Sequence, residues 1–121
     1  MTTKYVAEGE ALVYSNTGAL IKSGAVVVIG NLIGVALVDI PATSGTGAVA
    51  LKGVFTVPKV AGSAWVQGAK LLYDVSAAAF DVGTATPATG DVSGCCVAAA
   101  AALSAATTGQ VLINMGVGTV T

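Results

Sequence analysis

The chain has 121 residues with no histidine and no arginine, five lysines against six acids, and 55% hydrophobic residues with only 9% charged. An ordinary soluble domain is about 25% charged, so this chain has too few charges to cover its own surface, which predicts that another surface covers part of it. Without histidine, the usual base for a serine or cysteine nucleophile and the commonest nitrogen ligand for zinc are missing, which excludes triads and zincin-type sites, and the scattered lysines form no basic stripe for nucleic acid.

Alanine, valine, glycine and threonine dominate, and the sixteen glycines scatter as turn punctuation, a pattern that predicts an all-β fold. The segment Met1–Glu10 has no apolar core and places Glu8 and Glu10 early, so no signal peptide is expected. In chain order the strand-like runs are Lys4–Glu8, Ala11–Ser15, Ala25–Ile29, Gly34–Asp39, Ala48–Pro58, Lys70–Val75, Ala79–Val82, Cys95–Ala101 and Gln110–Met115. Turns are expected at Ser15–Gly18, Gly30-Asn31, Ser44–Gly47, Gln67-Gly68 and Thr89–Asp91. The apolar stretch Ala25–Val38 is interrupted by Gly30, Asn31 and Gly34 and is shorter than the ~20 residues a membrane span needs, so it reads as two strands and a turn. The expected architecture is a compact single-domain sandwich or barrel of about nine short, mostly antiparallel strands with at most one short helix. Two segments are ambiguous. Val97–Ala106 is rich in alanine, a helix former, but its flanks favour strand, and strand is the expectation; Gly62–Gly68 suits either one helical turn or none.

Candidate chemistry is sparse. Glu8 and Glu10 stand two apart and would share a face if the strand ran through Gly9, but Gly9 is expected to break the strand and they read first as two solvated acids at a turn. Asp74 and Asp81 would have one pKa raised if they faced each other across the Lys70–Val82 hairpin, but they read first as two acids near strand ends. The glycine strings Gly30–Gly34 and Gly45–Ala50 lack the lysine and the helix of a phosphate loop and read as turns. Cys95 and Cys96 are adjacent, lack a metal-pair spacer, and read as two thiols packed as small hydrophobes, so no metal and no cofactor is expected. Trp65 reads first as core and second as an interface anchor, and Phe55 as core.

The opening Tyr5–Leu12, the pair Ser23–Val27 and Gly34–Ala36, and then Leu51-Lys52-Gly53-Val54-Phe55-Thr56-Val57-Pro58-Lys59 resemble, in content and order, the DUF2190 family of tailed-phage capsid cement or decoration proteins. Ala64–Asp74 is similar to the family's segment in which a glycine precedes a strand ending in an aromatic and an aspartate, and Gly94–Ala102 with Gly109–Asn114 to its closing pair of strands. The resemblance runs from about Lys4 to Asn114 and implies one β domain over residues 1–121 with short flexible termini. It implies a non-enzymatic virion protein, made in the host cytoplasm, that binds the outer surface of the head. There it would touch the major capsid protein and its own copies, a trimer being the first expectation and a dimer the second, with no nucleic acid and no membrane as partner. Candidate interface residues are Trp65, Tyr5, Tyr14, Val97, Leu103 and Val111, and the charge-free stretch after Asp91 is the first candidate for a buried contact. Other readings are a tail- or spike-associated β-protein, a small-ligand barrel, and an enzyme working through Glu8 and Glu10.

Overall fold

The computed structural model describes residues 9–121 and contains ten strands and no helix among them. They are β1 (Ala11–Asn16), β2 (Val26–Ile29), β3 (Leu32–Ala36), β4 (Gly45–Ala50), β5 (Val54–Pro58), β6 (Lys70–Asp74), β7 (Ala79–Val82), β8 (Val92–Ala98), β9 (Thr108–Leu112) and β10 (Thr119–Val120). A four-stranded sheet runs β1-β4-β3-β2, and a six-stranded sheet runs β5-β9-β8-β6-β7 with β10 also on β8. All named pairings are antiparallel.

The all-β expectation holds, with revised boundaries. The run Ala48–Pro58 is two strands, because the chain crosses between sheets at Lys52-Gly53: the Leu51 N–H donates to the Glu10 carbonyl in one sheet, and the Gly53 carbonyl accepts from Ile113 N in the other. Gly45–Gly47, expected as a turn, opens β4. Val97–Ala106 is neither one strand nor a helix; β8 ends at Ala98 and the remaining alanines form a loop. Its backbone is captured by Trp65, whose N–H and carbonyl both bond Ala102 at 3.0 Å and whose indole N–H donates to the Ala100 carbonyl at 3.0 Å. The same pairing leaves Gly62–Gly68 without a helical turn. The predicted strand Lys4–Glu8 lies outside the described residues.

Alternation along the strands builds two cores. Ile33 and Val35 on β3, with Val26 and Val28 on β2, pack toward the six-stranded sheet, against Leu71, Tyr73, Phe80, Val92 and Val111. The opposite face of the four-stranded sheet buries Val27, Ala36, Val49 and Leu51 under Ile40, which is tied to Ile21 by paired backbone hydrogen bonds. Each large apolar side chain so buried contributes about 1.5–3 kcal/mol.

The six-stranded sheet rolls until its ends meet. Lys59, at the end of β5, forms a parallel bridge with Phe80 of β7, and the Val60 N–H donates to the Phe80 carbonyl at 2.8 Å. Within the roll, Leu71 pairs with Cys96 but Leu72 with Ser93, so Gly94 and Cys95 bulge out of β8. Gly94 takes φ +81°, a conformation glycine adopts without strain, and the bulge turns both Cys95 and Cys96 inward instead of to opposite faces.

Candidate interaction surface

Among the described residues no three histidine, cysteine or acidic side chains come together to hold a metal. The charged groups instead tie loops. Asp91 is buried, and its carboxylate accepts from Val75 N at 3.1 Å and Ala88 N at 2.9 Å. Buried Lys59 donates to the Ser63 carbonyl at 2.7 Å and the Val60 carbonyl at 3.1 Å, with its ammonium 5.3 Å from the centre of the Trp65 ring. Asp74 and Asp81 do not face each other, since Asp74 stands opposite Ala79 and Asp81 opposite Leu72. The hydroxyl of Ser76, then the N–H of Ala77, hold the Asp74 carboxyl below its ordinary value, in keeping with the reading of two acids near strand ends. Glu10 is exposed, and its expected companion Glu8 lies outside the described residues.

The six candidate interface residues separate. Trp65 and Val111 belong to the chain's own core, at 4% and 0% exposure. A residue as large as tryptophan finds room there because Gly109 passes beneath it: a Cβ on Gly109 would lie 2.3 Å from the indole Cζ2. Tyr14 is half-buried against the Val49 core, and Val97 is half-buried on the outer face of the rolled sheet. Leu103 stands out at 79% exposure, at the tip of the alanine loop, and Tyr5 lies outside the described residues.

Exposed apolar surface is the main feature left. In the charge-free stretch after Asp91 it includes Leu103, Met115, Val117 and Val120, but Leu12, Val13, Leu37, Val54 and Val66 extend it elsewhere. Across the outer face of the roll, Val54 pairs with Leu112, Leu112 with Val97 and Val97 with Lys70, giving an apolar row that ends in a lysine. An open cleft of about 320 Å³ beside this row is lined by Lys52, Gly53, Leu112, Ile113, Asn114 and Met115. A second open cleft of about 470 Å³ lies between Trp65, Val66, Lys70, Val82 and Thr84. Neither cleft is an enclosed chamber of the kind a ligand-binding barrel has.

Sequence reasoning overlooked Asn114. Its side-chain amide donates to the carbonyls of Ile33 at 2.6 Å and Leu51 at 2.8 Å, while its oxygen accepts from Ile33 N at 2.9 Å and from the Cys95 thiol at 2.8 Å. One residue thus joins the two sheets, from a backbone φ of +54° that asparagine tolerates better than most. The only hint in the sequence is an amide directly after the apolar run Val111-Leu112-Ile113.

No curated protein and no solved structure matches the chain. A family model described as phage cement protein matches residues 6–113, a span that takes in β1 to β9, the Trp65 loop and the apolar row. The match covers most of this β-fold with apolar side chains left on its surface, and the chain belongs to the phage cement protein family, as a structural component of a phage capsid.

Proposed function

We propose that this protein is a cement or decoration subunit that binds the outer surface of a tailed-phage head, bridges neighbouring major capsid proteins and stabilises their lattice without catalysis. The family match over residues 6–113 carries this reading. The scarcity of charge supports it: a chain with 9% charged residues and with exposed Val54, Met115 and Val117 suits burial against a shell. Binding to the assembled shell alone stabilises that shell by mass action, so the role needs no reaction step. The subunit acts as a homo-oligomer, since repeated lattice positions call for repeated identical contacts. It is made in the host cytoplasm and joins the head from outside.

Heads with and without the protein, challenged by heat and by low ionic strength, test the proposal. Complete heads are expected to survive conditions that open the depleted ones, and purified protein added back should restore resistance. Equal survival together with failure to rebind would remove the reading, and gold-labelled antibody confined to the tail would move the protein off the head.

A further inference from the structure

We infer that β1 is a self-complementary sheet edge through which two copies of this chain join across a two-fold axis, making one continuous eight-stranded sheet from two four-stranded ones. The inference deepens the oligomer part of the proposed function and rests on that reading only for its setting on the capsid.

The hydrogen-bond phase of β1 is fixed from both sides of β4. Leu51 N donates to the Glu10 carbonyl, while the Ala48 carbonyl is turned the other way and accepts from Leu37 N. With Leu12 opposite Val49 and Tyr14 opposite Gly47, the backbone groups of Glu10, Leu12 and Tyr14 are spent on β4, and those of Ala11, Val13 and Ser15 point outward. An edge of this kind is normally blunted by a lysine, a proline, a bulge or short length. β1 has none of these over its six residues, whereas β2 and β7 have four residues each and β5 carries Pro58. The strand is also held in place, because the buried Asn16 side chain donates to the carbonyls of Ala19 at 2.7 Å and Pro41 at 3.0 Å.

A second copy fits this edge. Running antiparallel and centred on Val13, the strand sets Val13 against Val13 of the second copy and Ala11 against its Ser15, so every outward N–H and carbonyl of one meets an outward group of the other. The side chains agree. Val13 is 75% exposed and Leu12 43%, and the same register places Leu12 against the half-buried Tyr14 of the second copy, an apolar–aromatic cross-strand pair. It also sets Glu10 against Asn16, so no like charges oppose each other.

The purified full chain, studied without shells, tests this by light scattering after gel filtration and by hydrogen exchange. The expected mass is that of two chains of 11.6 kDa, with the amides of Ala11, Val13 and Ser15 protected, and that protection is lost on dilution. Val13→Lys would place two ammonium groups face to face and is expected to give a folded monomer with those amides exchanging freely. In Val13→Cys, the two Cα atoms at about 5.5 Å lie within disulfide range. Mild oxidation should then link the dimer covalently, and the buried Cys95 and Cys96 do not compete. A trimer, or a native monomer with those three amides protected at all dilutions because residues 4–8 lie on the edge, would overturn the inference. So would a native monomer with the three amides unprotected. Shell rebinding is scored separately: a monomer that rebinds heads defeats the pairing and leaves the capsid role intact, and a dimer that never rebinds does the opposite.

Discussion

In the six-stranded sheet the end strands find each other, with Lys59 and Val60 reaching Phe80 so that the β5 and β7 edges close a roll around Tyr73, Val92 and Val111. The four-stranded sheet ends instead on β1, whose Leu12 and Val13 are exposed and whose outward backbone groups pair with no other strand among the described residues. The difference assigns different work to the two halves. Stability is concentrated where the edges are closed, by Trp65, Lys59 and the cysteine bulge, and capacity for further pairing is concentrated where an edge is open. A capsid subunit needs both, a body that does not spread under load and a side that accepts a neighbour.

Substitutions sharpen this contrast, and the largest effect is expected on the closed side. Trp65→Ala removes a buried ring together with the clasp that holds the alanine loop, and should cost roughly 3–5 kcal/mol in a urea titration. A loss under about 1 kcal/mol would mean that the roll does not depend on Trp65. Next, Asn114→Ala strips hydrogen bonds from Ile33 and Leu51 and should cost about 2 kcal/mol, with faster exchange at the junction of the sheets. Asn114→Gly, which keeps the positive φ, should lose nearly as much if the amide is responsible and much less if the backbone conformation is.

A smaller effect is expected at the β6–β7 turn. The folded Asp74 carboxyl is held below its ordinary 3.8, so its contribution is present above that value and is lost as pH falls through the folded pKa. Asp74→Asn should therefore lose a small contribution at neutral pH and flatten the acid side of the stability curve, so that variant and native chain converge below about pH 4, as thermal melts over that range would show. The smallest effect belongs to the open edge: Val13→Lys should shift monomer stability by no more than about 0.5 kcal/mol, because Val13 is 75% exposed. A large loss there would show Val13 to be part of the fold rather than of a contact.

Much of this was legible in the chain. Short apolar or aromatic runs bounded by turn residues marked the strands near Ala11, Ala25, Lys70 and Ala79, and the missing histidine removed whole classes of chemistry. What escaped depends on tertiary pairing. Nothing local distinguishes Leu51-Lys52-Gly53 as a crossing between sheets, since both flanks are equally strand-like. The alanine loop takes its course from Trp65, more than thirty residues earlier, so neither helix nor strand propensity describes it. Trp65 read first as core and second as an interface anchor, and the packing buries it together with Val111. The bulge that turns adjacent cysteines to one side is a register event between β6 and β8, which no single strand reveals.

A cryo-EM reconstruction of the head carrying this protein tests the account most directly. Density is expected on the outer surface over contacts between major capsid proteins, with two copies joined along Ala11–Ser15 across a two-fold axis. Density inside the shell or on the tail, or copies on the head whose β1 edges face only solvent, would contradict it.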